Sequence, residues 1–180
     1  MPSPASHLSD PELALALRAS DHAAFKTLYY RYFEALFRFL YRHTRAEHVA
    51  QDLVQEVFTR VWQNRAKLDP EQSVKAYLYR IGYNLAVDHL RKRAHRPEPL
   101  EAEMTRAPSY SHEVQFDLRD KMQAAIANLP EPLRVVFTMS RFEEATYAEI
   151  AETLQISIKT VESRMSKALK ELREKLKPFQ

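Results

Sequence analysis

Six residues near the end of the chain have the chemistry to touch a nucleic acid: Lys159, Thr160, Glu162, Ser163, Arg164 and Lys167. Cations and hydroxyls hold phosphate oxygens. A carboxylate repels phosphate but accepts a hydrogen bond from a cytosine amino group. A second set, Tyr77, Arg80, Asn84, Asp88 and Arg91, falls at i, i+3, i+7, i+11 and i+14, which is one face of a helix. Aromatic, cationic and amide groups stack on unpaired bases and hydrogen-bond to them. Arg91, Lys92, Arg93 and Arg96 follow and suit phosphates. A solvated basic helix end, favoured by the helix dipole, accounts for the same cations. A third set, Asp52, Gln55, Glu56, Thr59 and Gln63, lies opposite an apolar stripe. It reads either as an ordinary wet helix face or as a docking surface for a partner helix.

The first set needs a helix to present it, and the sequence supplies one. Thr146 and Glu149 form a T-x-x-E capping box that starts a short helix with Ile150 and Leu154 on its apolar face. A break follows at Gln155-Ile156-Ser157, and Ser157 can cap the next helix. That second helix is expected to bury Val161, Met165, Ala168, Leu169, Leu172 and Leu176, which recur at helical spacing. Two helices, a tight turn and a basic second helix describe a helix-turn-helix able to enter the major groove. A helical hairpin with merely solvated charges has the same pattern. Gln155 stands where the turn often has Gly, at some backbone strain.

Composition bounds the rest. A chain of 180 residues with one glycine, Gly82, makes few tight turns, so an all-α protein of one or two small domains is expected. There is no cysteine, which excludes disulfides, thiol catalysis and cysteine zinc sites. No apolar run approaches membrane-spanning length, and the N-terminus lacks a signal-peptide core. The histidines show no metalloprotease spacing and there is no glycine-rich phosphate loop, so no enzyme, metal or cofactor is expected. His43 and His48 read as surface residues rather than metal ligands. The net charge is only +3, so nucleic-acid binding must come from local patches. Residues 76–96 hold five basic residues against one acidic, and residues 98–120 hold six acidic against two basic. Two basic surfaces joined by an acidic spacer follow from that pattern.

In chain order, Asp10-Pro11-Glu12 opens a short helix, with Asp10 as cap. Asp21 caps a longer one to about His43, with an aromatic stripe better explained by core packing than by base stacking. A third helix spans about residues 46–64, residues 65–75 form a loop, and a fourth spans 76–96. Gly82 inside it costs roughly 1 kcal/mol relative to Ala and permits a close neighbour. The domain boundaries expected are 10–96, a linker over 97–112, and 113–180. Pro130-Glu131-Pro132 separates two helices of the second domain, the later one over 133–142.

Five strings in this order, AAFKTLYYRYFEALFRFL, AQDLVQEVFTRVWQN, KAYLYRIGYNLAVDHLRKR, NLPEPLRVVFTM and YAEIAETLQISIKTVESRMSKALKELREKL, resemble an extracytoplasmic-function sigma factor of bacterial RNA polymerase. Gly82 and Lys159 stand where such strings commonly have Ala and Gly. The resemblance implies a cytoplasmic protein that binds core polymerase at the β′ clamp and the β flap. Asp52, Gln55, Glu56 and Thr59 would dock on the β′ coiled coil. Lys67, Lys75, Tyr77, Arg80, Asn84, Arg91, Lys92 and Arg93 would open and read the −10 element, with one base extruded into a pocket. Lys159, Thr160, Glu162, Ser163, Arg164 and Lys167 would read the −35 element. An anti-sigma factor is a further implied partner. A stand-alone helix-turn-helix regulator, with the N-terminal half as a sensor or dimerisation module, is the alternative reading.

Overall fold

The computed structural model describes residues 8–94 and 113–177. The expected linker and Arg96 therefore lie outside the described residues. Eight α-helices and a short 3-10 turn follow in order: α1 (Asp10–Arg18), α2 (His22–Thr44), α3 (Glu47–Gln63), the turn Arg65–Lys67, α4 (Val74–Ala94), α5 (Glu113–Ala127), α6 (Glu131–Phe142), α7 (Tyr147–Leu154) and α8 (Ile158–Leu176). No strand occurs among the described residues, so the all-α expectation holds.

Local chemistry sets the helix ends. The cap of α1 is Ser9 rather than Asp10: its N–H and hydroxyl both donate to Glu12 at 2.7 Å. Asp10 instead turns to α2, pairing with Arg31 at 2.9 Å and accepting from the Tyr32 hydroxyl. Asp21 caps α2 by accepting from the N–H groups of Ala23 and Ala24. Helix α4 starts at Val74, earlier than expected, because the Ser73 hydroxyl accepts from the Ala76 N–H at 3.1 Å. Helix α6 starts at Glu131, since Pro132 fits a first turn whose N–H groups need no intrahelical partner.

Helices α1 to α4 pack into one bundle around Leu17, Leu28, Leu36, Phe39, Val54, Val57 and Leu78. Gly82 does what a missing side chain allows: a Cβ there would meet Leu36 at 3.3 Å, Leu40 at 3.5 Å and Val57 at 3.6 Å. Helices α2 and α3 thus approach α4 closely at that point. Helices α5, α6 and α8 enclose a smaller core of Ala125, Ile126, Leu129, Leu133, Ala168 and Leu172. The two cores are not separate bodies. Val135, Val136, Met139, Ala145, Ile150 and Ala151 of the C-terminal helices join the larger core, with α7 packed on α4. Two expectations fail. Leu169 is 48% exposed, because it sits one position beyond the buried arc formed by Val161, Met165, Ala168 and Leu172. His43 is 4% exposed rather than on the surface, packed edge-on against Phe39 and Tyr83.

Candidate nucleic-acid interfaces

The helix-turn-helix forms as read. The Thr146 hydroxyl accepts from the Glu149 N–H at 3.3 Å, while the Glu149 carboxylate takes the Thr146 N–H and hydroxyl at 2.7 and 2.8 Å. These bonds hold the Glu149 carboxyl below its usual range. Gln155 takes the left-handed turn conformation at φ 54°, and the Ser157 hydroxyl accepts from the Thr160 N–H at 3.1 Å.

With 3.6 residues per turn, α8 turns Lys159, Ser163 and Lys167 to the middle of its exposed arc. Thr160 is half-buried and shares a hydrogen bond with Ser157 at 2.8 Å. Glu162 is exposed on one shoulder of the arc. Arg164 is half-buried on the other, where its charge reaches Tyr83 of α4. Ser166 and Lys170 are also exposed, and they complete the central strip. Ser166 stands seven residues after Lys159, and that heptad interval was the signal that could have found it.

Helix α4 is enclosed on two sides, by α2 and α3 and by α7. Its remaining arc carries Tyr77, Arg80, Asn84, Asp88 and Arg91. Asn84, Asp88 and Arg91 are exposed, while Tyr77 and Arg80 are half-buried, with the Arg80 guanidinium 5.4 Å from the Tyr77 ring. Arg91 pairs with Asp88 at 3.0 Å, and Lys92 and Arg93 are exposed beyond it. Burial, and then the charges of Arg93, His48 and Lys92, lower the pKa of His89. The same positive field favours a phosphate. Lys67 is exposed in the turn after α3. Lys75 is not on this arc: it faces the C-terminal helices and donates to the Glu143 carbonyl at 3.3 Å.

On α3, Asp52, Gln55 and Thr59 are exposed, and Glu56 is half-exposed and paired with Arg60 at 2.6 Å. No group of histidines and carboxylates able to hold a metal occurs among the described residues.

Comparison with known proteins now decides the family. Residues 28–96 match the Sigma-70 region 2 model and residues 119–172 match the Sigma-70, region 4 model. The chain is 31% identical to the ECF RNA polymerase sigma factor RpoE of Cereibacter sphaeroides, covering 86% of this chain and 87% of that one. The RNA polymerase sigma-H factor of Pseudomonas aeruginosa is 28% identical, over 94% of this chain and 95% of its own. The chain belongs to the extracytoplasmic-function sigma factors.

This sigma factor is a regulatory initiation factor that binds core RNA polymerase and promoter DNA and directs transcription to promoters. The region 2 match accounts for the N-terminal half that a stand-alone regulator would leave as a sensor. In fold it resembles CnrH, solved in complex with the cytosolic domain of CnrY (TM-score 0.75, 23% identity, 95% of this chain and 99% of that one). It also resembles RpoE, solved with the anti-sigma factor NepR from Bartonella quintana (TM-score 0.66, 24% identity, 85% and 96%). No described helix is long and apolar enough to cross a membrane.

Proposed function

We propose that three separate faces divide the work of this sigma factor. The exposed side of α3, through Asp52, Gln55, Glu56 and Thr59, docks on core polymerase at the β′ clamp. The outer arc of α4, with Tyr77, Arg80, Asn84, Arg91, Lys92 and Arg93, engages the −10 element as single strand, helped by Lys67 and Lys75. The exposed strip of α8, with Lys159, Thr160, Glu162, Ser163, Arg164 and Lys167, enters the major groove of the −35 element. Residues 10–96 and 113–180 serve as the two functional domains, and 97–112 as the connection. The second domain also touches the β flap, the protein works in the bacterial cytoplasm, and an anti-sigma factor restrains it.

The observation that carries this reading is the arc on α4. Its amide is exposed and its aromatic ring and guanidinium are half-exposed beside it, while α2, α3 and α7 pack on other sides of the helix. A duplex hides base faces, whereas an unpaired strand offers faces and edges together. The test is run-off transcription with core enzyme on promoter fragments. Asn84→Ala should lower initiation on duplex promoters and recover on templates with a pre-opened −10 bubble. Equal loss on both templates would refute a role in strand opening. Strong footprinting of duplex DNA without polymerase would refute the division of labour altogether.

A further inference from the structure

We infer that Glu143 is a latch that holds the free sigma factor closed, with its −10 helix packed against the helix-turn-helix unit. The inference rests on the assignment of α4 and α8 to two separate promoter elements.

The geometry converges on one residue. Glu143 follows the last residue of α6, and its side chain is 6% exposed. Its carboxylate accepts from the Arg42 guanidinium of α2 at 2.6 Å and from the Tyr79 hydroxyl of α4 at 2.7 Å. Its carbonyl accepts from the Lys75 ammonium of α4 at 3.3 Å. The neighbouring Phe142 ring lies 4.4 Å from the Arg42 guanidinium. Three donors of the N-terminal bundle therefore end on a single residue of the C-terminal unit. Burial and the bond to Glu143 push the Tyr79 hydroxyl well above the usual tyrosine range, so it stays a donor.

The closed form cannot occupy both promoter elements. Elements centred 10 and 35 base pairs upstream lie about 85 Å apart along B-form DNA, at 3.4 Å per pair. In the closed chain α4 touches α7 of the helix-turn-helix itself. Residues 95–112, fully extended, reach about 60–65 Å, and the helices they join supply the remaining distance. Engagement of both elements therefore separates α4 from α7 and breaks every bond to Glu143. The polar groups of the latch suit that exchange. Carboxylate, guanidinium and ammonium recover hydration on opening, so the latch gives the closed form its register without making it irreversible.

The chain has no cysteine, so a dye pair at Gln51→Cys on α3 and Glu174→Cys on α8 is specific. Energy transfer in the full-length free protein reports closure, and circular dichroism reports helix content. Glu143→Lys and Arg42→Glu should each lower transfer at unchanged helicity, and the double exchange should restore it. Tyr79→Phe, which keeps the shape, should shift transfer in the same direction by less. Affinity for a promoter fragment that carries both elements, the −10 part single-stranded, should rise by the factor by which the open population rises, at least about tenfold for Glu143→Lys. Unchanged transfer in Glu143→Lys and Tyr79→Phe with helicity intact overturns the latch. Lowered transfer without a gain in binding to that fragment upholds the latch and overturns the assignment of α4 and α8 to two separate elements.

Discussion

Gly82 shows how much one absent methyl group decides. Adding a Cβ brings it to 3.3 Å from the end of the Leu36 side chain, which can move by a few tenths of an ångström. The added methyl also gains about 1 kcal/mol of helix propensity. Gly82→Ala should therefore leave stability within about 1 kcal/mol of the parent, while Gly82→Val should cost about 2 kcal/mol through overpacking; urea unfolding measures both. His43 makes the opposite point. It is buried with its Nε2 unpartnered, and burial, then Arg134 and Arg42, pull its pKa down to about 3. Between that value and the ordinary 6.5, the unfolded chain takes up a proton that the folded chain refuses. Stability therefore falls on acidification through this window, by up to about 1.4 kcal/mol per pH unit. His43→Leu should remove that slope, and an unchanged slope would show that another group carries it. Nothing in the sequence marks His43 as buried. Its burial depends on Tyr83 and on α6, which arrives some ninety residues later. Lys167 is simpler. It is exposed mid-strip on α8, so Lys167→Ala should weaken binding of the holoenzyme to all promoters alike. The loss of one phosphate contact should also reduce the salt slope of binding by about 0.9.

Helices were the legible scale, because their starts and stops are written within a few residues. The capping box at Thr146 and the Ser157 cap stand where their residue types place them, and Gln155 takes the left-handed turn between them despite its Cβ. The miss at the start of α1 has a distant cause: Ser9 and Asp10 are both good caps, and Asp10 is drawn to Arg31 and Tyr32 across 21 and 22 residues. Contacts of that range leave no periodic trace, and those of Glu143 to Arg42 and Tyr79 are of the same kind. The resemblance put Lys75 with the other −10 residues, and in this structure the helix turns it toward Glu143. The turn of the helix-turn-helix keeps a residual strain. Gln155 holds φ 54° with a Cβ, which costs roughly 1 kcal/mol relative to glycine. Gln155→Gly should therefore raise stability by about 0.5–1 kcal/mol, offset in part by its looser unfolded chain. A loss of stability would mean that the Gln155 side chain makes a compensating contact. On α3 the expected change is one of partner rather than of fold. Asp52 is exposed, so Asp52→Arg should keep full helicity and lower affinity for core polymerase, as read by gel filtration with core enzyme.

At the scale of the whole molecule, the decisive property is that one apolar core runs through both sequence regions. Ile150 and Ala151 of the helix-turn-helix share it with Leu36 and Leu78 of the N-terminal bundle. An isolated C-terminal unit would keep the core around Ile126 and Leu172 but would lose the N-terminal side chains packed against Ile150 and Ala151. Two consequences can be measured on the free chain. A compact body of 180 residues has a radius of gyration of about 16 Å. Scattering should give a value near that. The shared core should also make unfolding a single cooperative transition, with helicity and tyrosine environment lost together. Disrupting the apolar contact rather than the latch should uncouple the two halves. Thr153 is buried in a small pocket shared with Ala76 and Tyr79 of α4, so Thr153→Asp should raise the radius of gyration and split the transition, the C-terminal helices melting first. A single coincident transition in that variant would mean that the two halves stay coupled without this contact. Closure would then depend on the polar contacts at Glu143 alone.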